Sequence, residues 1–167
     1  MPLRFALVAL AVALASCQDS SPASPSAPTA PAPAEAPAVV AADQLAALLP
    51  SQVGDLARGA VVAEQDSAMG LTVSRAEGTY GTGPQAVTLL VLDVGSAEGA
   101  TLMGLAAPPT GQLDGRPVRR SESPTESSVQ LPVGGRYFVE ASGSRVGLDL
   151  LDVFVRTVDL SGLPGGA

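Results

Sequence analysis

Residues 86–94 read Ala-Val-Thr-Leu-Leu-Val-Leu-Asp-Val, and they constrain the architecture more than any other part of the chain. Apolar side chains occupy both odd and even positions there, as Leu89, Leu90 and Val91 show. Because consecutive side chains of a β-strand point to opposite faces of a sheet, a strand of this composition is buried on both faces. We therefore predict a central strand that is covered on its two sides.

Two segments with strand character precede it. Residues 61–65 and 71–80 are joined by a Ser-Ala-Met-Gly turn, and the second contains the β-favouring residues Thr72 and Tyr80. The simplest arrangement of these two segments with residues 86–94 is a three-stranded antiparallel meander.

A second hairpin is predicted around the Gly-Gly pair at 134–135. Residues 129–133 and 136–141 flank this pair, which is typical of a two-residue β-turn. If the turn is that tight, Leu131 faces Phe138 across the hairpin.

Three helices are predicted from apolar spacing and from breakers. Asp43 is a plausible N-cap for a short helix over 43–49, which Pro50 ends. A helix over 97–107 follows Ser96-Ala97-Glu98. The apolar stripe in 147–160 favours a C-terminal helix, although the β-branched residues leave a strand open for its second half.

This order of elements predicts an α+β fold for residues 39–167. The domain has a mainly antiparallel sheet of about five to six strands, with two to three helices packed on it. The element order is similar to that of the extrinsic photosystem-subunit fold, which occurs in some secreted bacterial lipoproteins. No residue motif supports that similarity, so no function is carried over from it.

The composition excludes several kinds of site. The chain has no histidine, one cysteine and a net charge of −7. Zinc, copper and haem sites depend on His or several Cys, and serine hydrolases usually depend on a His base. A single cysteine cannot form an intramolecular disulfide, and an acidic chain without a basic stripe is unsuited to nucleic acid. We expect no cofactor, no resident metal and no nucleic-acid partner.

The N-terminal residues have the organisation of a secretory signal. Arg4 precedes a small-apolar run over 5–15, which is too short to span a bilayer. The run ends in Leu14-Ala15-Ser16-Cys17, which resembles the lipobox of bacterial lipoproteins. The alternatives are an ordinary secretory signal with a stray cysteine or a short membrane anchor.

The lipobox resemblance implies a signal peptide over 1–16 that is cleaved between Ser16 and Cys17. It also implies diacylglyceryl modification of Cys17 and acylation of the new amino terminus, so that fatty acyl chains such as palmitate hold the protein on a membrane. In diderm bacteria the next residue influences sorting. Gln18 is not the aspartate of inner-membrane retention, which favours the outer membrane, facing the periplasm.

Residues 17–38 form the predicted linker. From Gln18 to Ala38 there are 6 Pro, 7 Ala and 4 Ser and no large apolar side chain, so we expect this stretch to be disordered. An Ala-Pro-rich chain in polyproline II conformation extends about 3.1 Å per residue and would reach roughly 60 Å. A spacer is favoured over a proline-rich ligand for a partner groove, since no flanking basic residue follows.

Two candidate ligand sites can be named from charge. Asp93 ends the apolar strand, either as a buried acid with a raised pKa or as a strand-exit residue that bonds the following turn. Arg116, Arg119 and Arg120 cluster after the Asp114-Gly115 turn and suit a small anionic ligand, or else form a charged edge strand.

A third acidic group gives a weaker signal. Asp149 and Asp152 share a helix face with Asp159 beyond them, and carboxylate clusters bind calcium. The Asp/Gly loop spacing of a calcium site is missing, so a solvated surface is favoured.

These observations predict a membrane-anchored bacterial envelope lipoprotein whose domain is a non-catalytic binding or accessory module. Its expected partners are the membrane, through Cys17, and an envelope protein or a small anionic ligand. One alternative is a structural subunit of an envelope complex. The other is a carboxylate-based hydrolase that uses Asp93 with an arginine pocket.

Overall fold

The computed structural model describes residues 38–68 and 70–165 of the 167-residue chain. This region has an α+β fold with three α-helices on one antiparallel sheet. The helices are α1 (Ala42–Ala47), α2 (Ala97–Leu102) and α3 (Leu148–Arg156). The strands are β1 (Gln52–Val53), β2 (Leu56–Ala68), β3 (Leu71–Tyr80), β4 (Val87–Asp93), β5 (Gly111–Leu113), β6 (Arg116–Glu122), β7 (Ser127–Val133) and β8 (Tyr137–Gly143). Their order across the sheet is β1-β2-β3-β4-β8-β7-β6-β5.

The apolar segment predicted as a central strand is β4, between β3 and β8. Val87, Leu89 and Val91 are fully buried on one face of the sheet, in the main core. On the other face Leu92 is buried, whereas Leu90 is only half-buried. The second face of β4 is therefore covered mainly at the end nearest α2.

Helices α1 and α3 cover the first face. The side chains of Leu45, Leu151 and Phe154 are fully buried against the sheet. Phe154 meets the ring of Tyr80 edge to face, with 5.0 Å between ring centroids. Burying side chains of this size stabilises a fold by about 1.5–3 kcal/mol each, so these contacts hold the two helices on the sheet.

The prediction of five to six strands is wrong, because the described residues form eight. Both additional strands, β1 and β5, lie at the sheet edges, with lengths of two and three residues. Segments this short carry no measurable period in hydrophobicity, and only their pairing with a longer neighbour reveals them.

The predicted helix positions are right, but several bounds are not. The Ser96 side chain accepts a hydrogen bond from Gly99 N at 3.1 Å and begins α2, as expected. The helix ends at Leu102 instead of 107, and Gly104 soon follows with φ of +70°, a conformation that stops helices. Asp43 lies inside the first turn of α1 rather than at its N-cap, which is Ala41.

The C-terminal helix is also shorter than predicted, since α3 covers Leu148–Arg156 instead of 147–160. Its last turn is followed by Thr157, whose hydroxyl donates to Phe154 O. Val158 and Leu160 remain buried in the core although they lie beyond the helix. Their apolar character reflects core contacts of an irregular tail and not a continued helix.

The hairpin between β7 and β8 has a three-residue turn, since Val133 pairs with Tyr137. Leu131 therefore pairs with Val139, and the expected pairing of Leu131 with Phe138 is wrong. A one-residue change in register moves a side chain to the opposite face. Phe138 consequently packs in a second, smaller cluster with Leu92, Val94 and Ala100.

The signal segment 1–16, the lipobox with Ser16 and Cys17, and residues 17–37 of the linker lie outside the described residues. None of the helices within 38–68 and 70–165 is long and apolar enough to cross a membrane.

Candidate functional site

Asp93 has a fully buried side chain at the end of β4. The Arg136 guanidinium donates from Nε to Oδ1 and from Nη2 to Oδ2, each over 2.7 Å. The backbone N–H of Val40 donates to Oδ2 at 2.7 Å, and that of Gly95 donates to Oδ1 at 2.8 Å. Removing a carboxylate from water costs several kcal/mol, and such charge-assisted bonds offset that cost. Each carboxylate oxygen of Asp93 accepts two hydrogen bonds, so the ion pair serves to hold neighbouring segments together.

The same ion pair also forms hydrogen bonds with the first described residues of the chain. Arg136 Nη2 also donates to Ala38 O at 2.8 Å, while Asp93 receives the Val40 N–H. Ala38 is the last residue of the predicted linker, and Val40 is buried in the main core. The Asp93–Arg136 pair therefore fixes the first described residues to the end of the sheet.

Neighbouring groups raise the pKa values of Arg136 and Tyr137. Hydrogen bonding to Asp93 raises the pKa of Arg136 above its usual value. Burial raises the pKa of Tyr137, and the Asp93 charge raises it further. The Arg136 guanidinium also lies over the Tyr137 ring, 5.1 Å from its centroid. General acid–base catalysis needs a group that titrates near the working pH, and both of these shifts move away from neutrality.

A cavity of about 250 Å³ lies beside the ion pair. It is bounded by chain residues 38–39, the β2–β3 hairpin and the start of α2, and includes Gln65, Thr72 and Ser96. Ser74, which pairs with Asp93 across the strands, has a buried hydroxyl with no hydrogen-bond partner among the described residues. An activated serine requires a bonded base, and Asp93 does not bond this hydroxyl.

The three candidate arginines do not form a common pocket. Arg119 and Arg120 are consecutive on β6 and point to opposite faces of the sheet. Arg119 Nη1 donates to Leu105 O at 2.9 Å, whereas Arg120 Nη2 pairs with Asp152 on α3, also at 2.9 Å. Arg116 is exposed at the start of β6. None of the three donates to Asp93, all of whose described donors are given above.

The three acids of the C-terminal region are also separated by their contacts. Asp152 is engaged by Arg120, and Asp149 is exposed in the first turn of α3. The carboxylate of Asp159 accepts hydrogen bonds from Ser161, which lowers its pKa. The part of the chain that the structure describes contains no group of three side chains suited to a metal ion.

A larger concave surface lies between the β1–β2 turn and the start of α3. This groove has a volume of about 480 Å³. Val53, Leu56, Val146 and Leu150 form its apolar wall, with Asp55, Gln85 and Arg145 as polar groups. We call it the α3 groove. The sequence gives no local signal for this groove because its residues come from separate segments. In the structure, Arg145 is the non-glycine residue of the groove with a positive φ, +68°.

No protein-family model matches the chain, and no curated protein or solved structure matches it either. The site therefore has to be interpreted from its own geometry. Arg136 is the most consequential site residue that the sequence does not single out, because it is simply the first residue after the Gly134-Gly135 pair. Its 43-residue separation from Asp93 gives no local signal.

Proposed function

We propose that this protein is a membrane-anchored lipoprotein of a bacterial envelope whose α+β domain is a non-catalytic binding or accessory module. Support for the anchor comes from Leu14-Ala15-Ser16-Cys17 and from the linker that follows it. Acyl chains on Cys17 hold the protein on the membrane, and Gln18 favours the outer membrane, facing the periplasm. The domain contacts its partner while the lipidated Cys17 and the linker hold it near the membrane.

The observation that carries this proposal is the Asp93–Arg136 pair. Asp93 is the one carboxylate with a fully buried side chain among the described residues, which makes it their strongest candidate for a tuned catalytic acid. Its oxygens are instead saturated by donors that fasten residues 38–40. The buried charge thus supports the junction between tether and domain, which is the arrangement expected of a tethered binding module.

We assign the partner contact to the α3 groove. Its apolar wall suits an apolar group of an envelope protein or small ligand, and Arg145 offers a cation to an anionic group. This assignment replaces the arginine cluster of β6, because Arg120 and Arg119 are already engaged by Asp152 and by Leu105 O.

The test is photo-crosslinking within the native envelope, with a photoreactive amino acid at one position of α3 at a time. Leu150 lines the α3 groove and Val153 does not, yet both are similarly exposed, at 39% and 42%. We expect a discrete adduct from position 150, lost in the Arg145→Gln variant, and none from position 153. The mass of the adduct separates a protein partner from a small ligand. Equal, diffuse crosslinking from both positions would contradict the assignment.

A further inference from the structure

An uncharged apolar segment is exposed around the end of α2. Leu102 is 74% exposed and Met103 is 43% exposed, which makes Leu102 the most exposed large apolar residue among those described. Between Glu98 and Asp114 no residue is charged, and 106–109 reads Ala-Ala-Pro-Pro, also exposed. We call residues 102–109 the α2 patch. Exposed apolar side chains that are grouped in one segment often mark an interaction site.

The helix that carries the patch begins near the first described residues of the chain. Ala38 is bonded to Arg136, and a Cβ on the neighbouring Gly135 would be 3.4 Å from the Cβ of Ala97 in α2. Ala38 and the α2 cap Ser96 also border the same cavity. The junction of the tether and the start of α2 are therefore close neighbours.

We propose that the α2 patch docks on the lipid surface that holds the protein, an inference that rests on the lipid anchor proposed above. The chain outside the structure supplies the argument for a membrane as the occupant. It ends at residue 37, next to Ala38 and thus near the start of the helix whose end carries the patch, and its acylated residue would be Cys17. A tether of this length keeps the domain at high effective concentration near the bilayer, so a weak apolar contact is enough to seat it.

The chemistry of the patch agrees with lipid rather than with a charged partner. Leu102 and Met103 are flexible apolar side chains able to enter the boundary between headgroups and acyl chains. The segment itself has no charged residue, and the guanidinium of Arg119 beside it is engaged by Leu105 O, so we expect the contact to depend mainly on apolar insertion. Seated in this way, the domain rests on the bilayer through α2 while the helices α1 and α3 on the other face of the sheet stay away from it.

The experiment uses the acylated protein in vesicles of phosphatidylethanolamine and phosphatidylglycerol, with a nitroxide attached after Met103→Cys. Val153→Cys is the matched control, because Val153 is equally exposed, at 42% against 43%, and lies on α3. We expect the label at 103 to gain contact with oxygen and to lose, several-fold, its contact with a water-soluble nickel chelate. The label at 153 stays accessible to the chelate. We expect that adding Leu102→Glu makes the label at 103 accessible to the nickel chelate again. Adding Leu150→Glu leaves that label shielded.

Flotation of the vesicles separates the two ways of failing. If the protein isolated from bacterial membranes carries no acyl chains, or does not float with the vesicles, the proposed anchor is wrong. If it floats but the labels at 103 and 153 are equally accessible to the chelate, the anchor stands and the docking of the α2 patch is wrong. Shielding of the label at 103 from both oxygen and chelate would show a protein contact, such as a second copy, and would also overturn the proposal.

Discussion

At the scale of single residues, the domain depends on how it accommodates a buried charge. The Asp93 carboxylate accepts hydrogen bonds from Arg136 and from two backbone N–H groups, which together replace the water it lost. Removing one partner of such a pair leaves the other charge buried without compensation. The pair also joins residues that are far apart in sequence, so its loss loosens both the sheet end and the tether junction.

Asp93→Asn is expected to lower the free energy of unfolding by about 3 kcal/mol, the size typical of breaking a buried ion pair. Urea denaturation followed by circular dichroism measures this change. Asp114→Asn is the control, because the Asp114–Arg156 pair is exposed and should not shift the midpoint. An unchanged urea midpoint in Asp93→Asn would show that the pair is dispensable for the junction.

At the scale of elements, α2 is held by a very close approach to the strand end. A Cβ on Gly99 would lie 2.3 Å from the carbonyl oxygen of Val94 and 2.9 Å from Leu71 Cδ1. Because the first of these atoms belongs to the backbone, it cannot move aside as a flexible side chain would. Glycine is thus required by packing at a position where helix propensity alone favours alanine.

Gly99→Ala is therefore expected to destabilise the domain by about 1–3 kcal/mol through overpacking, against its gain in helix propensity. The Gly162→Ala substitution is the comparison, since nothing lies within 4 Å of a Cβ at that position. Thermal unfolding of both variants tests this, and a Gly99→Ala protein as stable as Gly162→Ala would mean that α2 is not packed as described.

The elements also show which parts of the fold could be predicted from the sequence. The continuous apolar run of β4 and the Ser96 cap of α2 are local signals, and both predicted their elements correctly. The register of the β7–β8 hairpin depends on whether Arg136 belongs to the turn or to the strand, and its long-range bond to Asp93 favours the turn. The local sequence pattern around Arg136 gives no indication of that contact.

At the scale of the whole molecule, the fold class followed from the sequence and the candidate site did not. The order of helices and strands is a property of successive segments, whereas the α3 groove joins segments as distant as Val53 and Leu150. The candidate arginines do not all lie on one face of the sheet for a related reason. Adjacent residues on a strand face opposite ways, so Arg119 and Arg120 are close in sequence but are divided by the sheet.

The proposed anchor, linker, ion pair, patch and groove assign a role to each part of the molecule. In the proposed arrangement Cys17 would hold the chain on a membrane and the linker would space the domain from it, while the Asp93–Arg136 pair binds residues 38–40. The α2 patch is at the end of the helix that begins near these residues, and the α3 groove, formed by other segments, is the proposed partner site. Of these roles, the membrane attachment and the docking of the α2 patch depend on the lipid anchor.

The most direct test of the anchor is the intact mass of the protein in the membrane fraction, measured for the wild type and for Cys17→Ser. The account predicts that the wild type begins at Cys17 and carries the added mass of acyl chains, and that Cys17→Ser shows neither change. Ser16→Ala, which keeps a small residue before the cysteine, should behave as the wild type. An unmodified wild-type chain, or one whose modification persists in Cys17→Ser, would contradict the account.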